Sequence, residues 1–278
     1  TQPIRITRPP SAAWMGVPLG TAMSMPACRR PQRMPNGDEN VPLTGQMNPA
    51  EPPWTGPAGS GKSTIATQFI AEGLRVGETA VIAVFEEYPE DYLARADVRN
   101  PDIGNMIRAG KLELIYLRPL DLSVDEALAA ILEAVERLEA TRVVIDSLSG
   151  FEVALAPPFR EDFRESLYRL VGALTATGVT VFMTAEVVEG FSDVRFTTEK
   201  VSFITDEIII QRYVEIEGEL RRVMAVIKMR GSDHSHELRT YEVTANGVVV
   251  GGALTEYDGI ITGVPTLRAK PAVRRRTK

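Results

Sequence analysis

From Gly56 to Thr64 the chain reads Gly56, Pro57, Ala58, Gly59, Ser60, Gly61, Lys62, Ser63, Thr64, the spacing G-x-x-x-x-G-K-[ST] of a phosphate-binding loop. Each residue type has a physical reason. Glycines let successive backbone N–H groups turn inward toward an anion, and a helix that starts at the end of the loop presents its positive terminus to the same anion. Lys62 is expected to reach the β- and γ-phosphates of a nucleoside triphosphate, ATP in the first instance, and the Ser63 hydroxyl to ligate Mg²⁺. An amphipathic helix is expected at once, over Ser63 to Arg75, with Ile65, Phe69, Ile70 and Leu74 on one face and Gly77 ending it. A plain glycine turn before a helix is the simpler reading of the same letters; the helix and the strand that follow it weigh against that reading.

From Gly56 onward, strand-like runs alternate with helix-like segments, the mark of a mostly parallel sheet with crossover helices. TAVIAVF reads as a buried strand, EEYPEDYLARA leads into a helix, and GKLELIYL is a strand. Ser123, with Glu126 three residues on, forms a capping box that opens a helix running to Glu139. TRVVID is the next strand, then a helix spans roughly Glu161 to Thr177 and the strand VTVFMT ends at Thr184. The rhythm then changes to antiparallel hairpins at the C-terminal edge, one turning at Glu217 and Gly218, the other at Asn246 and Gly247. The expected fold is α/β with that hairpin edge.

Acidic residues at strand ends complete the expected site. Asp146 closes the strand TRVVID, where P-loop proteins hold a carboxylate that acts on Mg²⁺. Glu86 and Glu87 follow the strand TAVIAVF, and one of the pair is expected to orient or deprotonate a water beside the γ-phosphate. The alternative is that both simply open the helix after Pro89. Thr184 and Glu186 stand at a further strand end as candidate γ-phosphate sensors.

The whole pattern resembles the KaiC-type branch of the RecA-like ATPases. The resemblance covers Gly56 to about Pro265 and rests on GPAGSGKST, VFEEYPEDY, VVIDSLSGF, ITDEIIIQRYVEIEGELRR and IKMRGSDHS followed by ELRTYEV and GIITGVP. It implies a hexameric ring with ATP between neighbouring subunits, Glu86 and Glu87 as the catalytic pair, and Lys228, Arg230, Ser232 and His234 as a segment reaching the neighbour's nucleotide. Arg230 would then act as an arginine finger in trans. From the residues alone, Lys228 and Arg230 read equally as charges guarding a sheet edge. A circadian member of the family phosphorylates itself on a Ser-Thr pair before I-T-D; here the stretch is VSFITD, which retains Ser202 and puts Phe203 in the threonine's place. Serine/threonine autokinase activity would fall on Ser202, with Thr197 and Thr205 behind it.

The chain departs from this pattern before the loop. Its first 55 residues hold eleven of its nineteen prolines, and NPAEPPWT stands where the family has a strand. Three prolines and no apolar run predict that this central strand is absent. With Thr1 at the start, this composition suggests a fragment or a shifted reading frame before about Glu51. The expected division is an irregular segment over 1–52, an ATPase domain over 53–252, and a C-terminal extension over 253–278 ending in the basic Arg274, Arg275, Arg276 and Lys278.

Net charge is −6, which disfavours broad nucleic-acid binding, and Cys28 as the single cysteine leaves no internal disulfide to form. No apolar run reaches the roughly 20 residues of a membrane span, and a cytoplasmic ATPase with an unknown regulatory partner is expected. Two readings stand beside it: a nucleotide-gated assembly or signalling module with little turnover, and a DNA-handling RecA relative.

Overall fold

A computed structural model describes residues 53–97, 102–117, 123–154, 163–186, 204–261 and 265–268. Ser202, Thr197, Cys28, the proline-rich first 52 residues and the basic tail lie outside the described residues.

The core begins with strand β1 (Pro53–Gly56), helix α1 (Lys62–Arg75), β2 (Ala80–Val84), α2 (Pro89–Asp97), α3 (Ile103–Arg108) and β3 (Leu112–Tyr116). It continues through α4 (Val124–Leu138), β4 (Arg142–Asp146), α5 (Leu148–Ala154), α6 (Phe163–Ala176) and β5 (Thr180–Glu186). The hairpin region comprises β6 (Glu207–Ile216), β7 (Glu219–Met229), β8 (Arg239–Thr244) and β9 (Gly247–Ala253), followed by the short β10 (Tyr257–Asp258) and β11 (Thr266–Leu267). Among the described residues one nine-stranded sheet runs β3-β2-β4-β5-β1-β6-β7-β8-β9. Neighbours from β3 to β6 pair in parallel, and from β6 to β9 antiparallel.

Local chemistry explains most of these elements. Every residue of β2 is buried, as expected of a strand covered by helices on both faces, where apolar residues run continuously. The capping box of α4 is made in both directions: Glu126 N donates to Ser123 Oγ at 3.3 Å and Ser123 N donates to Glu126 Oε2 at 2.6 Å. The β6–β7 turn places Glu217 at φ 55° and Gly218 at φ 79°, the left-handed pair that matches strand twist. In the β8–β9 hairpin the turn sits on Ala245 and Asn246, one residue earlier than expected, and Gly247 takes the positive φ of 102° as β9 begins. The helices α3 and α5 have no counterpart among the elements expected from the sequence.

The strand expected to be absent is present. β1 lies in the middle of the sheet, in parallel register with β5 (Trp54 opposite Thr184) and β6 (Trp54 opposite Ile209). Pro53 is its first residue, a strand position where a lost N–H is tolerated, and a four-residue strand needs no long apolar run when both sides are paired. Thr55 is buried and its hydroxyl donates to the Ile209 carbonyl at 3.5 Å. Residues beyond Ala253 pack back on the hairpins: Ile260 joins a small core with Val214, Ile216 and Val223, and Arg212 donates to the Ile261 carbonyl.

Candidate functional site

β1 delivers the loop to the C-terminal edge of the parallel strands, where an α/β sheet builds its sites. Gly59 (φ 73°) and Gly61 (φ 99°) adopt left-handed backbone conformations that a side chain would resist. A Cβ on Gly56 would come within 2.8 Å of both Gln211 Cβ and Ser60 Oγ, so that position has room only for hydrogen. The loop is bolted from outside. Ser60, fully buried, donates to Gln211 Oε1 at 3.2 Å, while Tyr241 donates to the Ser60 carbonyl at 2.7 Å and Tyr213 to the Gly59 carbonyl at 2.8 Å. Burial pushes the Tyr241 phenol above its ordinary pKa.

Lys62 opens α1 and donates from Nζ to the carbonyls of Gly56 and Pro57, both at 2.8 Å. Burial pulls its ammonium below the ordinary lysine value, against the opposing fields of Glu186, Asp146 and Glu86. The ends of neighbouring parallel strands carry what the sequence suggested separately: Glu86 just past β2, Asp146 at the end of β4 and Glu186 at the end of β5, the last opposite Gly56 at the start of the loop that holds Lys62. Asp146 Oδ1 accepts from Thr184 Oγ1 at 2.5 Å, and the Asp146–Ser147 peptide is cis. Ser147 Oγ donates to Glu86 Oε1 at 3.1 Å and accepts from Gly150 N at 3.1 Å. Glu87 instead faces Arg95, in a two-pronged ion pair.

Lys228 and Arg230 are not part of this cluster. The Arg230 amide donates to the Asp206 carbonyl at 2.9 Å, and Asp206 precedes β6 three residues before the level of Trp54. The loop leaves β1 at Gly56, on the far side of Trp54, so Arg230 sits roughly 15 Å down the strand direction from its own loop. Its guanidinium donates to Asp206 Oδ1 at 3.2 Å, and Lys228 Nζ donates to the Thr205 carbonyl. Ser232 Oγ and His234 Nε2, in the segment that follows, are shielded from solvent with no hydrogen-bond partner among the described residues. Thr205 is fully buried.

The residues present fit a magnesium nucleotide. The loop is a cradle that a Cβ would fill, and it offers a lysine and a helix N-terminus to phosphate. Among the described residues no three His, Cys, Asp or Glu side chains gather as a metal cage. Mg²⁺ binds through few protein ligands and takes the rest from phosphate and water. Ser63 and Asp146 are the residues that would hold it.

Gln211, Tyr213 and Tyr241, about 150 and more residues from the loop they brace, are not among the residues that motif and spacing single out, and neither are Ser147, Gly150 and Arg95. Ser147 and Gly150 do carry a local signal: they lie in DSLSG, directly after the carboxylate expected to act on the metal.

A loop of this kind between β1 and α1, with acids on the neighbouring parallel strands and antiparallel hairpins beyond, defines a RecA-like P-loop ATPase fold. The chain belongs to the KaiC family of ATPases: the family model described as "ATPase: KaiC" matches residues 54–255. It is similar to the circadian clock protein KaiC3 of Synechocystis sp., at 32% identity over 80% of this chain and 43% of that protein. It is similar also to the circadian clock oscillator proteins KaiC of Picosynechococcus sp. and Rippkaea orientalis, each at 31% identity over 76% of this chain and 40% of theirs. The chain thus spans about two fifths of the length of these relatives. No helix among the described residues is long and apolar enough to cross a membrane.

Proposed function

We propose that the chain binds ATP with Mg²⁺ and hydrolyses it slowly, at sites shared between copies arranged as a ring, in clock-type or related signalling. The observation that carries the hydrolytic reading is the placement of Glu86 and Asp146 at the ends of the parallel strands to which β1 delivers the Lys62 loop, with Ser147, next to Asp146, donating to Glu86. Lys62 exchanges its two loop carbonyls for phosphate oxygens, and the loop amides bind the same oxygens. Mg²⁺, when bound by Ser63 and Asp146, shields charge on the phosphates. Glu86, held by Ser147, orients a water and takes its proton as the water oxygen bonds to the γ-phosphorus and the bond to the bridging oxygen breaks.

The ring reading is supported by Arg230. It stands toward the opposite ends of the strands from its own loop, so its charge is placed to serve a nucleotide on another copy. Ser232 Oγ and His234 Nε2, shielded and without a hydrogen-bond partner among the described residues, fit a segment completed by a neighbour. Autokinase activity, if the ring supports it, falls on Ser202 or Thr197, since burial of Thr205 removes it as an acceptor.

Titration with Mg-ATP and a turnover assay on the same samples test the reading. Lys62→Ala is expected to weaken binding at least tenfold and to abolish turnover, on the order of the loss of one charge-assisted phosphate contact. Unchanged turnover in that variant rejects the site. Tight binding without turnover in the unaltered protein favours the nucleotide-gated assembly module instead.

A further inference from the structure

Two carboxylates follow β2 on consecutive residues, yet their surroundings differ. Glu86 lies toward β4, where Ser147 donates to it, and no cation among the described residues forms an ion pair with it. Glu87 lies toward α2. Arg95, in the last turn of that helix, reaches back along it: Nε donates to Glu87 Oε1 at 3.2 Å while a terminal nitrogen contacts Oε2. Both side chains are about one third exposed, at 32% and 35%. The guanidinium also lies over the Tyr92 ring, 4.9 Å from its centroid. Tyr92 is buried, and its hydroxyl is 3.3 Å from Thr67 Oγ1, which donates to the Ser63 carbonyl at 2.7 Å. A continuous line of contacts therefore runs from Ser63 through Thr67, Tyr92 and Arg95 to Glu87.

We propose that Arg95 is a positioning residue for water activation, clamping Glu87 so that Glu86 alone of the pair faces the attacking water. The inference rests on the proposed hydrolytic reading and goes beyond it by separating the roles of the two glutamates. Released from Arg95, Glu87 would be an unpaired carboxylate one peptide bond from Glu86, able to compete with it for Ser147, for Lys62 and for the metal. The two-pronged pair commits both Glu87 oxygens, which a single lysine ammonium cannot do with the same geometry. A surface pair of this kind has little value for stability alone, and the anchoring of Tyr92 to the phosphate-loop helix is what ties it to the site.

The test compares Arg95→Met, Arg95→Lys, Glu87→Gln and Glu86→Gln, each in the full chain. In Arg95→Met, kcat is expected to fall about tenfold to a hundredfold, the cost of a catalytic group displaced by about 1 Å, while affinity for a non-hydrolysable Mg-ATP analogue stays within about twofold. Arg95→Lys should recover part of that loss. Amide hydrogen exchange over residues 86–92, measured without nucleotide, should quicken in Arg95→Met and in Glu87→Gln. If Arg95 merely stabilised α2, melting temperature and exchange would change while kcat did not, and that result overturns the proposal. Arg95→Lys preserves size and solubility and carries the test should Arg95→Met fail to fold: a normal kcat there overturns the proposal equally. The underlying reading fails separately, if Glu86→Gln retains turnover.

Discussion

At Gly150 the absence of a single carbon makes room for Glu86. A Cβ there would lie 2.7 Å from Phe85 Cβ and 2.9 Å from both Glu86 Cγ and Oε1. Phe85 is buried in the core and stacks edge-on against Phe151, with ring centroids 5.5 Å apart, so it cannot yield. Glu86 is the side chain that must move, and with it the bond from Ser147. Gly150→Ala is therefore expected to lower kcat by about tenfold or more while nucleotide affinity holds, with an overpacking cost of about 1–3 kcal/mol in stability. Steady-state kinetics beside a denaturant titration would check it; equal kcat in variant and parent would show that Glu86 has slack. The loop itself was legible at this scale, because its chemistry is written in nine consecutive residues. The braces behind it were not. Gln211, Tyr213 and Tyr241 read as ordinary strand residues, and only the folded sheet brings their polar ends to the backs of Gly59 and Ser60.

Among the elements, those with their own local signals were legible: the capping box of α4, the unbroken apolar run of β2 and the Glu217–Gly218 turn. β1 shows the converse. Pro53 within it and Pro49 and Pro52 before it argue against a strand, and its two flanking strands override that argument through register rather than propensity. α3 and α5 are too short, at 6 and 7 residues, to show an apolar period. The β8–β9 hairpin illustrates an element acting on the site through a helix. Gln68 of α1 accepts from Val248 N at 2.7 Å and donates to its carbonyl at 3.5 Å, and Gly247 beside it has no room for a side chain, since a Cβ would meet Gln68 Cδ at 2.5 Å. Gly247→Ala combines that clash with a φ of 102° and should destabilise by about 1–3 kcal/mol. Gln68→Ala removes both the clash and the bond, so the double variant should lose less than the sum of the two. Urea midpoints of the four proteins measure this; strict additivity would mean that helix and hairpin are not coupled there.

For the whole molecule, the sheet presents a phosphate loop at one end of its strands and a cationic segment near the other. Strand register fixes that separation, so a copy cannot close its own site with Arg230, and the ring proposed above, each copy facing the next, would be a closed arrangement that uses both ends. Arg230 meanwhile pairs with Asp206 at 3.2 Å, its side chain still 53% exposed, a geometry from which it can exchange a carboxylate for a neighbour's phosphate. The arrangement predicts complementation. Arg230→Ala copies keep an intact loop but give their neighbour no arginine; Lys62→Ala copies lack the loop but keep the arginine. Each alone should be nearly inactive. In randomly mixed rings, a working site arises wherever an intact loop meets an intact arginine, at about a quarter of interfaces, so turnover should recover to about a quarter of the parent rate. Native mass spectrometry on the same mixture establishes that mixed rings have formed. If they form and turnover remains at the level of the two inactive parents, Arg230 does not act across the interface, and the segment from Lys228 to His234 must be assigned to docking between copies instead of chemistry.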